Sequence, residues 1–419
     1  MTRLINEAPL SWPQTALRFL VIRYETPTSF IHYDPRGIAP ALTEAKAAAL
    51  SLRTIPYQRD WVQELQKIEL KMEIAGTSRI EGADFTEHEL DAVLRGTREN
   101  PEQLFTRSQR QAFAALQTYE WIKQIPDDRP VTPDLIREIH RHIVTGADDD
   151  HCPPGELRGP DQNVTFGTPR HRGAEGGAPC AEALARLSQA ITREFRDHDP
   201  LVQALAAHYH LAAMHPFLDG NGRTARALEA LLLQRAGLRD TCFIAMSNYY
   251  YDEKTAYLQA LADARAGGHS LDPFLAFGLQ GIARQVQRLL VSIQSAMRKA
   301  LFRGMAIDLF GHLKTKRTRV LAERQLAILK VLLEREGRFP LESIRRALWS
   351  EHYAPLKRPS PAFARDLSNL VHLEAIRVHR SDEGPEFEPN LDWPTLMTEK
   401  AFLRRLRELP KAKTRSLLG

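Results

Sequence analysis

The chain has 419 residues, 43% of them hydrophobic and 26% charged, which excludes a disordered or fibrous polypeptide and leaves room for two or three domains of roughly 100–200 residues each. No run reaches the ~20 apolar residues of a membrane helix, Arg3, Glu7, Pro9, Pro13 and Arg18 interrupt any signal-peptide core, and the three scattered cysteines (Cys152, Cys180, Cys242) make neither a disulfide framework nor a zinc ribbon, so a cytoplasmic protein without membrane contact is expected. The net charge of +5 is uneven: residues 301–419 carry 23 basic against 15 acidic side chains, a surplus that attracts nucleic acid or stands as a solvated face.

Helical periodicity is common and strand-like alternation scarce, so the fold class is read as mainly α. Residues 1–58 are mixed, punctuated by proline, and give no firm element. Trp61, Leu65, Ile68 and Met72 recur at three- and four-residue steps and mark an amphipathic helix over about 60–73. Thr86 and Glu89 have capping-box spacing ahead of Leu90, Val93 and Leu94. Phe113, Leu116, Tyr119 and Ile122 mark another helix. Thr132-Pro133 is an N-cap with proline at the first helical position, opening a helix through Ile143. Residues 151–180 are rich in Pro and Gly and read as a long loop or hairpin, with one strand-like run at Asn163, Val164, Thr165 and Phe166. Helices resume over 181–195, 201–214, 222–236, 253–265 and 273–299. The basic run KTKRTR at 314–319 marks a boundary. Beyond it, helices over 325–335, 341–349 and 360–373 precede a hairpin of 376–380 and Phe387, a pattern that resembles a winged helix-turn-helix.

The segment His215-Pro-Phe-Leu-Asp-Gly-Asn-Gly-Arg-Thr-Ala-Arg226 joins two apolar helices. Backbone N–H groups at the start of the second helix have no partner within it, and Gly220 and Gly222 let an anion approach them closely. The helix dipole adds positive potential at that end. Arg223 and Arg226 lie three apart, on one helical face, and can clamp phosphate oxygens. Asp219 is an oxygen ligand suited to Mg²⁺ shared with phosphates. Asn221 can orient a phosphate or a metal-bound water. His215 is an imidazole whose ordinary pKa lies near working pH. A bare Gly-Asn-Gly turn needs none of His215, Phe217, Arg223 or Arg226.

This segment is similar to the core motif of the Fic family, HxFx(D/E)GNGRxxR, at every specified position; only Ala225, where Gly is usual, departs from common usage. The resemblance runs more loosely from about Ser78 to Phe277, through Thr132–Ile136, Gly155–Arg158, Ala207–His210 and Ser247–Tyr257. It implies a Fic-type helical bundle with a short β-hairpin flap, and transfer of AMP from ATP to a Ser, Thr or Tyr hydroxyl of a target protein. Carried over, His215 is the general base and Asp219 the Mg²⁺ ligand. Gly220, Asn221 and Gly222 form the anion hole. Arg223 holds the β-phosphate and Arg226 the γ-phosphate, with Thr224 and Ala225 in the nucleotide-binding segment. Phe217 pins the loop. Kinase-type Doc relatives carry Lys where this chain has Gly222, which favours AMP transfer. The loop with Asn163, Val164, Thr165 and Phe166 falls where the family carries its target-docking flap. Tyr249, Tyr250 and Tyr257 fall where it contacts adenine and ribose, although such residues also pack helices.

Thr77-Ser-Arg-Ile-Glu81-Gly82 matches the family's inhibitory pattern (S/T)xxxE(G/N), in which Glu81 would pair with Arg226 and take the γ-phosphate's seat. Ser78-x-x-Glu81 also has the spacing of a capping box. The expected organisation is an N-terminal region with an inhibitory helix (1–100), a Fic core (101–300), a winged-helix-like domain (314–395) and a basic tail (396–419). Three alternatives stay open. One is a DNA-binding regulator using Arg365 and Asn369 on the third C-terminal helix, opposed by four carboxylates at the hairpin tip. Another is removal of AMP, with Glu81 orienting water. The third is transfer of another nucleotidyl or phosphoryl group. A homodimer is compatible with the resemblance.

Overall fold

The computed structural model describes residues 21–55, 59–96, 106–238, 244–311, 316–334, 337–382 and 384–409. The chain divides into two compact units, Met1–Val291 and Ser292–Gly419.

The first unit begins with strand β1 (Ile22–Arg23) and helices α1 (Pro35–Thr54), α2 (Arg59–Ile80), α3 (Glu87–Gly96), α4 (Arg107–Ile122) and α5 (Pro133–Val144). The hairpin β2 (Thr165–Phe166) and β3 (His171–Arg172) follows. Then come α6 (Ala178–Thr192), α7 (Pro200–Met214), α8 (Asn221–Leu233), α9 (Met246–Asp252), α10 (Lys254–Ala266) and the start of α11 (Asp272–Gly311). Local chemistry sets several starts. Thr132 accepts from the Leu135 amide ahead of Pro133. Thr86 and Glu89 form the expected reciprocal cap, and Thr106 with Gln109 forms a second. Helix α7 is buried at every position from Leu201 to Met214 except Gln203, so it reads as apolar all round. It packs most extensively against α8, which also meets α4, α5 and α2.

Two expectations for α2 are corrected. Ile68 is 53% exposed, whereas Glu69 and Glu73 are buried, so the buried face is rotated from the apolar stripe. The reason is a set of distant donors. Tyr119 Oη donates to Glu73, as do the Ser247 amide and hydroxyl, and Arg288 and the Ala245 amide serve Glu69. The side chain of Trp61 lies outside the described set. Ser78 sits in the last turn of α2 rather than at a helix start, so it caps nothing. Gly76 is the crossing point with α9: a Cβ there would collide with the Ser247–Asn248 backbone.

The small sheet has the order β1-β3-β2, with Ile22 opposite His171 in parallel pairing and Phe166 opposite His171 in antiparallel pairing. Strand β1 covers the outer edge of β3, a pairing the mixed pattern of residues 1–58 does not reveal.

The second unit holds the rest of α11, then α12 (Lys316–Glu334), β4 (Phe339–Pro340), α13 (Leu341–Leu348), α14 (Pro359–His372), β5 (Ile376–Ser381), β6 (Gly384–Pro389), α15 (Trp393–Leu396) and α16 (Glu399–Arg407). Its antiparallel sheet has the order β4-β6-β5, with Val378 opposite Phe387. Phe302, Ile328, Leu332, Leu367, Leu370, Trp393 and Phe402 share its core. The unit begins inside α11, and α12 starts within the basic run expected to be a boundary. The start of the expected tail is likewise packed: Thr398 caps α16 and Phe402 is fully buried. Asn369, named for the DNA-binding alternative, is 4% exposed. Asp366, on α14, is buried and bound by Arg324 at 2.7 Å and by Tyr353 Oη at 3.2 Å. Among the described residues no helix is long and apolar enough to cross a membrane.

Candidate active site

Helix α7 ends on His215, whose backbone is left-handed (φ 51°, ψ 60°). That turn swings the chain into the loop leading to α8. His215 Nδ1 lies 2.7 Å from the Ala212 carbonyl oxygen, which can only accept. Nδ1 therefore carries the proton, and Nε2 keeps its lone pair. Burial pushes the imidazole down to about 4, against the opposing Ala212 contact and Glu81 charge, so it is neutral at pH 7.

The loop braces itself. The Phe217 amide donates to Asn221 Oδ1 and Asn221 Nδ2 donates to the Phe217 carbonyl, both at 2.9 Å. Asn221 is 2% exposed, so its side chain shapes the loop instead of facing an anion, a correction to its expected role. Thr224 Oγ1 donates to the Gly220 carbonyl, and the Thr224 and Ala225 side chains are fully buried. Gly220 is required twice. Its φ is 73°, and a Cβ would lie 2.8 Å from Val144 Cγ1.

The first turn of α8 meets a carboxylate. Glu81 Oε1 accepts from Arg226 Nη2 at 2.6 Å and occupies the place a side chain at Gly222 would fill. Arg226 Nε donates to Thr77 Oγ1 at 3.0 Å and Nη2 to the Thr77 carbonyl at 3.2 Å. Burial would raise the Glu81 carboxyl, but Arg226 outweighs it and holds the group below its ordinary value. Thr77 and Glu81 thus lie against Arg226, the Glu81 pairing being the one the resemblance implied, while Gly82 (φ 93°) makes the turn after α2. The mouth of α8 receives an anion in this structure, and the anion is the protein's own.

Arg223 is 2% exposed, and its Nη1 donates to buried Asp148 Oδ2 at 2.5 Å. Asp219 is partly exposed. It accepts from the Gly220 amide at 2.6 Å and lies 3.4 Å from Arg107 and 3.7 Å from Arg223. Among the described residues no group of three His, Cys, Asp or Glu side chains could hold a metal alone. A partly exposed carboxylate beside a phosphate site would suit Mg²⁺ that arrives with phosphate oxygens.

Residues 130–233 match the model of the Fic/DOC family. This segment is a Fic domain. The chain is 29% identical over 169 residues to "Protein adenylyltransferase fic-1" of Caenorhabditis briggsae, covering 40% of this chain and 30% of that protein. It is 28% identical over 176 residues to "Protein adenylyltransferase Fic" of Nematostella vectensis, covering 40% and 36%. The chain therefore spans about a third of these relatives. A solved Fic family protein from Desulfovibrio desulfuricans superposes with a TM-score of 0.54 at 20% identity, over 88% of this chain and 98% of that one. That likeness supports the fold.

Around the Fic loop, several residues escaped the sequence reading. His140 stacks face to face on Phe217 at 3.7 Å. It accepts from the Gly155 amide on Nδ1, and its Nε2 lies 3.1 Å from the Asp219 carbonyl. Arg158, 1% exposed, donates to the His215 and Gln162 carbonyls at 2.8 and 2.7 Å and to that of Ala174, tying the hairpin to the Fic loop. Asp148 and Arg107 carry no motif; only their long-range pairing reveals them.

Of the expected flap residues, Thr165 and Phe166 form β2, and the Val164 carbonyl accepts from the Gly173 amide. Asn163 precedes them and is exposed. The Phe166 ring lies flat on the His215 imidazole, 3.7 Å away at 12°, and the Arg265 guanidinium lies over the same Phe166 ring at 5.2 Å. The expected adenine contacts are corrected: Tyr249, Tyr250 and Tyr257 are at most 4% exposed. Tyr250 and Tyr257 stack on each other at 4.6 Å. None of these three rings presents an open face to a base.

Proposed function

We propose that this protein transfers AMP from ATP to a hydroxyl of a target protein, and that Glu81 restrains the reaction. The observation carrying the reading is one anion seat filled by Glu81 between Arg226 and Gly222, on the same loop as an imidazole with a free Nε2. Relatives named protein adenylyltransferase support the chemistry.

In this reading the target hydroxyl reaches His215 Nε2, which takes its proton. The hydroxyl oxygen bonds to the α-phosphorus as the bond from that phosphorus to the bridging oxygen breaks, and pyrophosphate leaves. The α8 amide end, Arg223 and Arg226 stabilise the phosphate charge. Asp219 would hold Mg²⁺, which supplies charge neutralisation between phosphates. Glu81 restrains transfer by competing for Arg226, so a bound triphosphate lacks its grip. Gly222, where a kinase-type relative has Lys, leaves no ammonium to redirect the triphosphate.

The position of the label decides between AMP and phosphate transfer. Glu81→Gly protein is incubated with Mg²⁺, cell lysate and ATP labelled at either the α- or the γ-phosphorus. Label in protein from α-labelled ATP alone supports the proposal; label from γ-labelled ATP alone refutes it.

A further inference from the structure

Behind Arg226 runs a buried chain of polar groups that the proposed reaction does not use. Its members come from α7, α8, α9 and α10: His208, Glu229, Tyr250 and Tyr257, none more than 2% exposed. Tyr250 Oη donates to the Glu229 carboxylate at 2.9 Å. His208 Nδ1 meets the same carboxylate. A carboxylate accepts, so His208 Nδ1 is the donor of that pair, and a neutral ring presents Nε2 as an acceptor. His208 Nε2 lies 3.0 Å from Tyr257 Oη. Burial holds the Tyr257 phenol up, to about 12, so it keeps its proton and donates to that nitrogen. The remaining lone pairs of Tyr257 Oη face Arg226 Nη1 at 3.5 Å. Every bond in the series points one way, from the Arg226 N–H toward Glu229.

The contacts on Arg226 divide by origin. Thr77 Oγ1, the Thr77 carbonyl and Glu81 belong to α2 and the turn after it. Tyr257 is the contact that comes from another helix. When Glu81 departs, one acceptor is lost from a buried guanidinium, and an unpaired buried cation is costly. Tyr257 lies on Nη1 and not on the Nη2 that Glu81 releases, so it still holds the guanidinium after Glu81 has left, with an oxygen made a better acceptor by its own donation to His208.

We infer that Tyr257, backed by His208 and Glu229, is a positioning residue that fixes the Arg226 guanidinium for the terminal phosphate of ATP once Glu81 has left. The inference rests on the proposed role of Arg226, and its test separates the two. Dissociation constants for ATP and ADP are measured with Mg²⁺ by calorimetry on Glu81→Gly protein, alone and with each further change. Arg226→Ala should collapse the preference for ATP over ADP; if it does not, the role of Arg226 is wrong. Tyr257→Phe should cut that preference roughly fivefold to tenfold, the scale of one charge-assisted hydrogen bond, and change ADP binding less than twofold. A merely structural tyrosine would weaken both nucleotides together. His208→Gln, whose amide can donate to Glu229 and accept from Tyr257, should keep the preference, and His208→Leu should lose it. This pair also decides the matter if Tyr257→Phe melts early. An intact preference in Tyr257→Phe or His208→Leu, alongside its collapse in Arg226→Ala, overturns the inference.

Discussion

Glu81 and Gly222 share one place: the carboxylate of the first lies where any side chain of the second would stand. The same carboxylate holds Arg226 at 2.6 Å. Removal of the carboxylate empties an anion seat without touching the α8 amides, because Glu81 lies just past the end of α2. The rest of α2 is anchored by Glu69 and Glu73, so Glu81 can turn aside while the helix stays docked.

Docking of α2 depends on Gly76. Gly76→Ala drives a methyl into the Ser247–Asn248 backbone. The expected loss of stability is about 1–3 kcal/mol, as for overpacked cores, read by urea melts. Gly82→Ala meets no atom and suffers only from its φ of 93°, so its loss should be smaller, near 1 kcal/mol.

Among the described residues, Asp148 is the one buried carboxylate bonded to Arg223. Asp148→Asn leaves a buried guanidinium with the partly exposed Asp219, 3.7 Å away, as its remaining counter-charge. Breaking such a pair costs about 3–5 kcal/mol when the partner stays buried. The variant should melt earlier than wild type by chemical denaturation and bind ATP more weakly. Asp219→Asn, at a partly exposed carboxylate, should leave the melt almost unchanged and weaken the dependence of transfer on Mg²⁺.

The pH dependence of transfer follows from His215. Its pKa is held down to about 4 by burial, so the base form persists well below the ordinary value near 6.5. The rate of label transfer by Glu81→Gly protein should stay level as pH falls from 7.5 to about 5.5. Removal of the Glu81 charge, which raises the His215 pKa, keeps the acid limb low. A midpoint near 6.5 would contradict the buried, Nδ1-bonded imidazole.

Stability against pH carries two opposed contributions. His140 and His210 are pushed down by burial to about 4 and about 3. Their contribution is present above the ordinary value and is lost as pH falls through the folded values. Glu73 is raised by burial to about 7, so its contribution is present below the ordinary carboxylate range and is lost as pH rises through 7. The stability of wild type relative to Glu73→Gln should therefore shrink between pH 5 and 7.5, measured by thermal melts across that series.

How much of this was legible follows from spacing along the chain. His215 to Arg226 are contiguous, so helix, loop and helix could be read from one stretch, and Thr77 and Glu81 carry their own short pattern. Asp148 could not be read, since it meets Arg223 across 75 residues. Nor could the rotated face of α2, because Glu73 is buried against Tyr119 and Ser247, 46 and 174 residues away. The tyrosines after the motif helix could be read only as two alternatives, base contact or helix packing, for a physical reason. An aromatic ring with a hydroxyl suits a base-binding wall and a buried network equally, and only Glu229 and His208 distinguish them. Strand β1 has two residues, too few for an alternation to show.

The most direct measurement is the rate of α-labelled AMP incorporation into protein for wild type, Glu81→Gly and Glu81→Gly with His215→Ala, at equal protein and Mg²⁺–ATP. Competition for the Arg226 seat predicts a rise of at least about tenfold on removal of Glu81, the effect of ~1.4 kcal/mol, and a return to background when His215 is also lost. Equal rates for wild type and Glu81→Gly, or undiminished labelling without His215, would contradict it.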